Sequence, residues 1–539
     1  VISALADRAL GLGPGRVRYT RTTVRTPMAD GVSLVGELYR PADGTGPLPV
    51  VLIRTPYSRS AMGHPLFAAP LARRGFQVLL QSTRGSFGSG GQFRPFRHER
   101  EDGLATIDWV RAQDWCDGRI ATTGISYLGH TQWVVAGQAD VVAMAAHITA
   151  SRMTDTFYPG GAPTLLNALS WSSSIGNQES DLPLVPHPVR HRRLRSALRR
   201  MPLQAADLAV AGAPVGFWRD FTGHGEPDDD FWESTYTERT RDVPPTSMVT
   251  GWWDLFVAAQ MQDYRALREA GVDARIVVGP WLHGAVDELR EVLRTDIAFL
   301  DHHLRGGPAP EGAPVRLYLQ QADQWLEFDE WPPPAEPETL HLGAGGALGS
   351  GVGSGSSAFV FDPADPTPAV GGPLLQKPGE QVDQKAVEVR PYVLVFTGPE
   401  LAADTDVVGP VTAQVFVRPE LEYADVYVRV CDVDAAGVSR NVVDGIRRLD
   451  PRTVPAKDVT RGPDGVLAVD LELFPTAYRF RAGHRIRVQV AGGAFPRFAR
   501  NTGTAEPLGT ATTGLRCRTE VLHDEAHPSR VTVPVLRRS

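Results

Sequence analysis

Gly124-Ile125-Ser126-Tyr127-Leu128-Gly129 stands between a stretch that reads as a strand, residues 119–124, and a helical pattern, residues 127–136. A serine on such a strand-to-helix turn can be pushed above a sheet as a nucleophile, and the tight turn demands small neighbours. The general spacing is G-x-S-x-G. Here Leu128 fills the fifth position and the second glycine follows one residue later. A chain of 539 residues with 54 glycines produces such a hexamer by chance roughly one time in three. The competing reading of Ser126 is a simple helix N-cap.

The surrounding pattern gives the turn a scaffold. Residues 17–24 and 32–39 read as antiparallel strands. The apolar runs 49–53 and 76–80 suit strands buried on both faces. Residues 65–74 and 99–113 read as helices, and Asp117-Gly118 as a turn. Repeated strand–helix units predict a parallel sheet covered by helices. Past residue 145 the chain becomes helical, irregular and rich in aromatics and Pro. The strand–helix series then resumes, with strands 246–250 and 274–278 and helices 256–270 and 288–304. A segment interrupting such a series reads as a cap inserted over the sheet's C-terminal edge.

Beyond residues 332–337 short β-rich segments recur, at 358–361, 392–396, 411–417, 425–430, 466–473, 485–490 and 530–535. Their spacing suggests a β-sandwich or jelly roll. The Gly/Ser-rich stretch 343–357 reads as a flexible surface loop. The expected organisation is therefore a core of residues 1–145 and 246–335, a helical cap of 146–245 and a β-domain of 336–539.

Two later strand ends carry the residues that change the odds for Ser126. Strand 246–250 runs into Gly251-Trp252-Trp253-Asp254. Strand 274–278 runs into Gly279-Pro280-Trp281-Leu282-His283. Active sites of α/β sheets lie beyond the C-terminal ends of strands, and Ser, then Asp, then His is the chain order of the α/β-hydrolase fold. Asp254 could also cap helix 256–270, and His283 is one of 14 histidines.

These stretches, together with Arg54-Thr55-Pro56-Tyr57, residues 84–91 (RGSFGSGG), Trp115-Cys116-Asp117-Gly118-Arg119, Gly483-His484-Arg485-Ile486-Arg487 and Phe495-Pro496-Arg497-Phe498, resemble the cocaine esterase and X-Pro dipeptidyl-peptidase-like hydrolases over nearly the whole chain. The resemblance implies an α/β-hydrolase core, a helical cap and a jelly-roll domain. It implies Ser126 as nucleophile, His283 as base and Asp254 as the acid that orients it. The oxyanion donors would be the Tyr127 backbone N–H and, by the resemblance, the Tyr57 phenol.

In the α-amino-acid ester hydrolases of this family, acidic residues follow the triad Asp and help hold the substrate's ammonium. Here Leu255, Phe256 and Val257 stand there. An ammonium without a counter-charge would carry a desolvation cost of several kcal/mol, which disfavours aminoacyl esters and N-terminal peptidase action. Phe256 and Trp171 look like aromatics of the cocaine-esterase branch, and both suit an apolar or aromatic acyl group; the competing reading of each is cap-to-core packing.

Composition bounds the rest. The chain is 42% hydrophobic and 22% charged, ordinary for a soluble globular protein. A net charge of −7 argues against nucleic acid as a partner. No run suits a membrane helix, and Val1-Ile2-Ser3-Ala4-Leu5 lacks secretory features, so a cytoplasmic location is expected, with an upstream segment left open by the missing initiator Met. Cys116, Cys431 and Cys517 are too sparse for a disulfide framework. Only three basic residues are Lys (Lys377, Lys385, Lys457).

The basic run at 190–200 reads as a solvated helix face, with an anionic partner as the alternative. Ser86 and Ser89 shape a loop without a phosphate-binding pattern. Asp432 and Asp434 lack calcium-loop spacing. No metal or cofactor is expected. The expected partner is a small-molecule ester or amide, and a homodimer is left open. The leading expectation is a serine carboxylesterase for a neutral, apolar or aromatic acyl substrate. The alternatives are an amidase, acylase or acyl-transfer enzyme, and behind them an X-Pro dipeptidyl peptidase or a non-catalytic binding protein.

Overall fold

The structure, a computed structural model, describes residues 7–8, 10–44, 46–176, 178–179, 187–225, 229–375 and 379–537. Residues 1–5, whose composition bears on a secretory signal, and Lys377 lie outside the described residues.

A ten-stranded sheet forms the core. Its strands are β1 (Tyr19–Pro27), β2 (Ser33–Pro41), β3 (Leu48–Thr55), β4 (Gln77–Ser82), β5 (Cys116–Ile125), β6 (Ala143–His147), β7 (Thr246–Gly251), β8 (Ala274–Gly279), β9 (Val315–Leu319) and β10 (Gln324–Phe328), in the spatial order β1-β2-β4-β3-β5-β6-β7-β8-β9-β10. Strands β4, β3 and β5 to β9 pair in parallel, and β1, β2 and β10 add antiparallel edges. Val50–Ile53 and Val78–Leu80 are buried on both faces, as parallel strands under helices require. The chain steps from β3 to β4 on one side, then to β5 on the other. The crevice outside the ends of β3 and β5 is thus a topological switch point, where such sheets bind ligands.

Helices α1 (Glu99–Arg111) and α2 (Tyr127–Trp133) flank this half. The expected helix at 65–74 instead begins earlier, as a π-helical stretch Arg59–Ala68 with Pro65 inside it, followed by Ala69–Ala72. Proline lacks the N–H that an α-helix interior needs, which is consistent with the irregular winding there. The Gly-rich loop after β4 is tied down by serine hydroxyls. Ser89 Oγ donates to Ser82 O and accepts from Val35 N, each at 2.9 Å, and Ser86 Oγ donates to Thr83 O at 2.8 Å.

Between β6 and β7 the chain builds the cap, including α3 (Leu165–Ile175) and α4 (Gly216–Gly223). Phe217, Trp218, Phe221 and Trp232 form its centre, in one apolar cluster with Tyr127 and Phe256 of the core and Phe495 of the β-domain. The basic run falls on helix His187–Leu198, where Arg192, Arg193 and Arg195 are exposed and Leu194 and Ala197 buried; the side chains of residues 190 and 191 lie outside the described residues. Helices α5 (Val257–Glu269) and α6 (Val286–Arg305) complete the core. Among the described residues no helix is long and apolar enough to cross a membrane.

The C-terminal part is all β. Each segment expected there overlaps a strand, for example Thr412–Pro419, Ala424–Val433 and Arg485–Ala491, though the one expected at 392–396 runs Leu394–Glu400, and their inner faces share one apolar cluster with Arg530–Val535. The stretch 343–357 departs from the loop reading. It contains a 3₁₀ turn (Ala344–Gly346) and a strand (Ala347–Gly349) whose Leu348 is buried in that cluster. One apolar side chain between glycines anchors it to the core. Asp432 is engaged by Tyr478 and His484, and Asp434 by Arg440 and the N–H groups of its own turn. The three cysteines are free and buried.

Candidate active site

Ser126 sits between β5 and α2 at φ 56°, ψ −122°, a region that costs a non-glycine residue about 1–3 kcal/mol. The surroundings over-determine it. Ser126 N donates to His147 O of β6 at 2.9 Å. A Cβ on Gly124 would lie 2.5 Å from Leu128 Cβ, and one on Gly129 would lie 2.5 Å from Thr149 Cγ2. This accounts for the unusual hexamer. Leu128 is buried among Val51, Ile53 and Ala121 and packs over Gly124, while the close approach to a neighbouring segment falls one position later, at Gly129.

Ser126 makes no side-chain cap to its helix. Its Oγ lies 3.1 Å from His283 Nε2, and His283 Nδ1 lies 2.7 Å from Asp254 Oδ2. Asp254 is wholly buried, and its other oxygen accepts from Phe256 N at 2.7 Å. The acid therefore both orients the imidazole and steadies the start of α5, which begins at Val257 rather than Phe256.

A further carboxyl stands behind this pair. Glu288, in the first turn of α6, is fully buried; its Oε2 accepts from Gly284 N at 2.7 Å, and Oε1 has no partner among the described residues. Burial first, and then the charge of Asp254, push its carboxyl well above the usual range, against a smaller opposing effect of the Gly284 and Ala285 N–H groups. Glu288 thereby holds the turn that follows His283. Sequence reading placed Glu288 only as the start of a helix.

Tyr127 N–H is the first of α2 and has no acceptor within its own helix. The Tyr127 phenol donates to Glu99 and accepts from Phe96 N at 2.9 Å, so the residue beside Ser126 is held in place. Tyr57 follows β3 at the same sheet edge. Its oxygen accepts from Trp171 Nε1 at 3.0 Å, which leaves its own proton available to the crevice. Burial pushes the phenol up to about 12, opposed by the Trp171 hydrogen bond, so it keeps that proton at neutral pH. The indole of Trp171 was read from sequence as an aromatic wall alone; the structure adds this bond to Tyr57.

Ser126, His283, Tyr57, Tyr127, Trp171 and Phe256 all border one partly open, largely apolar cavity, the kind of lining typical of small-molecule sites. The remaining lining includes Phe96, Met153, Phe157 and Leu255, and also Asn167 of α3 and Leu375 of the β-domain. Among the described residues no carboxylate borders it. Phe256 lies 5.7 Å from the His283 ring, centroid to centroid, and Trp171 packs edge-on against Phe217 at 4.5 Å. Sequence reading missed Asn167 and Leu375. Asn167 precedes Trp171 by four residues, the spacing that puts both on one helix face. Leu375 arrives on a long connection that no local pattern marks.

Sheet, cap and site together define a serine hydrolase on the α/β-hydrolase scaffold. Residues 30–285 match the family model described as X-Pro dipeptidyl-peptidase (S15 family), and residues 311–532 match its C-terminal non-catalytic domain. The chain is 30% identical to a cocaine esterase from Rhodococcus sp. (strain MB1 Bresler), over 96% of this chain and 98% of that one. Among solved structures, an aminopeptidase from a marine sediment archaeon (Thaumarchaeota archaeon) superposes with a TM-score of 0.81 at 23% identity, covering 96% of this chain and 97% of its own. An α-amino acid ester hydrolase follows at 0.76 and 23%, covering 97% of each chain. The chain belongs to the cocaine esterase / X-Pro dipeptidyl-peptidase-like family and is a serine esterase-type hydrolase.

Proposed function

We propose that the protein cleaves carboxylic esters of neutral, apolar or aromatic acids through an acyl-enzyme on Ser126. The observation that carries this reading is the Ser126–His283–Asp254 relay, at 3.1 and 2.7 Å, opening onto a cavity bordered by aromatic and aliphatic side chains. His283 Nε2 takes the Ser126 proton as Oγ attacks the carbonyl, and Asp254 holds the imidazole tautomer and stabilises the imidazolium. The oxyanion lies against Tyr127 N–H and the Tyr57 hydroxyl. Collapse expels the alcohol, which takes the proton from His283. Water, deprotonated by the same histidine, then releases the acid.

The residues after Asp254 separate this reading from aminoacyl-ester and N-terminal peptidase activity. Leu255 and Phe256 border the cavity where a counter-charge for an ammonium would be needed, and an unpaired cation there would be strongly disfavoured.

The test is mass-spectrometric detection of a fluorophosphonate adduct on Ser126, together with turnover of p-nitrophenyl esters. Ser126→Ala is expected to abolish both while retaining the wild-type melting temperature. An adduct-free wild-type protein without ester turnover would leave a binding role on a hydrolase scaffold. Product analysis with an added amine or alcohol distinguishes hydrolysis from acyl transfer.

A further inference from the structure

Asn167 is the polar exception in the upper part of the cavity. It is 5% exposed and borders the space in front of Ser126. Its Oδ1 accepts from Leu375 N at 3.0 Å. A backbone nitrogen can only donate, so this bond fixes which way round the amide lies. The Nδ2 group is therefore the end left over, and it donates to no acceptor among the described residues. That end is open to the cavity rather than sealed in the core, and a ligand acceptor would replace the solvent that otherwise satisfies it.

The position of the amide is set by α3. Asn167 and Trp171 are four residues apart on one face, and Trp171 Nε1 is bonded to the Tyr57 oxygen. The amide thus lies about one helical turn, roughly 6 Å, from the tryptophan that reaches the oxyanion side. The helix itself is held from the β-domain, where Pro496 O accepts from Leu166 N at 3.0 Å. The amide is therefore a pre-oriented donor at a fixed distance, in a pocket otherwise suited to rings and alkyl groups.

We propose that Asn167 is a specificity-determining residue that selects acyl groups carrying a hydrogen-bond acceptor, such as a carbonyl or ether oxygen, on the far side of an aromatic or aliphatic body. This rests on the esterase reading above and narrows its substrate class. Donors at this point disfavour cationic groups, in line with the lack of a carboxylate among the described cavity residues. The competing explanation is that Asn167 serves only to anchor Leu375. That role would weaken all substrates alike, whereas a donor role changes the ratio between matched substrates.

The experiment uses p-nitrophenyl benzoates bearing, at the 3- or 4-position, either an acetyl group or the similarly shaped isopropyl group. Wild type is expected to favour the acetyl member in kcat/KM by roughly 5- to 10-fold at one of these positions. With each ratio divided by that for alkaline hydrolysis of the same two esters, which removes the electronic difference between acetyl and isopropyl, the acetyl preference should fall to one or below in Asn167→Ala and Asn167→Leu. A parallel measurement follows binding of the matched methyl benzoates to Ser126→Ala by tryptophan fluorescence, with and without Asn167→Leu. The same preference and the same loss are expected there. After that correction, equal treatment of the pair by wild type, or a preference that survives in both Asn167 variants, would overturn the proposal. If the binding preference holds but Ser126 neither labels nor turns over ester, the esterase reading fails and the donor assignment stands.

Discussion

Replacing Tyr57 by Phe removes one hydrogen from the edge of the cavity and leaves the ring. The structure sets the size of the effect. In the proposed mechanism two donors serve the oxyanion, Tyr127 N–H and Tyr57 O–H. The Tyr57 oxygen already accepts from Trp171 Nε1 at 3.0 Å, so its proton is not used in that bond. One oxyanion donor is worth about 2.7–4 kcal/mol in the transition state, a loss of about 10²–10³ in kcat. The bond is made to the tetrahedral oxyanion rather than to the ground-state carbonyl, so the loss should fall on kcat with KM little changed. The phenol, held near 12 by burial, stays protonated through the working range, so the ratio of wild-type to variant rates should be flat between pH 7 and 9. The assay is steady-state and burst-phase hydrolysis of p-nitrophenyl benzoate, with melting curves to confirm folding. A Tyr57→Phe rate within about 3-fold of wild type, or a loss confined to KM, refutes the assignment.

Trp171→Phe keeps an aromatic wall but drops the N–H that orients Tyr57; kcat should fall about 3- to 10-fold, and a rise in KM at constant kcat would assign the indole to substrate packing alone. Glu288→Gln keeps an acceptor for Gly284 N without an ionisable group. Because the folded carboxyl titrates above its unfolded value, its contribution is complete below the unfolded pKa and is lost as pH rises through the folded one. The melting temperature of Glu288→Gln relative to wild type should therefore climb as pH is raised from 4 to 8, and a constant difference would contradict the raised carboxyl. Gly124→Ala brings a Cβ to 2.5 Å from Leu128 Cβ at φ 152°; overpacking of this kind costs about 1–3 kcal/mol, so both melting temperature and Ser126 labelling rate should drop, and an unchanged labelling rate would show that the turn relaxes freely.

Where the sequence was legible, the reason is a local pattern tied to a single physical demand. Val50–Ile53 and Val78–Leu80 are apolar runs because both faces of those strands are covered. Ser126, Asp254 and His283 stand out because each follows a strand end, and the structure brings the three within hydrogen-bond reach. Strand β6, Ala-Met-Ala-Ala-His, escaped notice because small residues pack where helices approach closely and leave no β-branched signal. The π-helical Arg59–Ala68 could not be told from an α-helix by periodicity. Glu288 and Asn167 matter through partners, Gly284 and Leu375, whose contacts only folding reveals. Leu375 lies 92 residues beyond His283 in the chain (375 − 283), in a connection with no repeating pattern.

These contacts divide the labour among the three parts of the chain. In the proposed reaction the core sheet supplies the groups that react, each fixed by a strand end and a tight turn. The cap and the β-domain supply the rest of the cavity lining: Trp171 and Asn167 from one helix, and Leu375 from a loop whose root is bound by buried charge. Arg429 donates through Nη1 to Val370 O at 3.0 Å and through Nη2 to Asp444 Oδ2 at 2.9 Å, and Arg497 also bonds to Asp444. A buried carboxylate between two guanidiniums stays ionised; here Asp444 is held below the usual range, the two arginines outweighing burial. Removing either arginine would leave a poorly compensated buried charge, so this anchor is rigid by necessity. Changes at Asn167 and Leu375 should then alter which acyl group is accepted, while changes at Asp254 or His283 alter how fast any of them reacts.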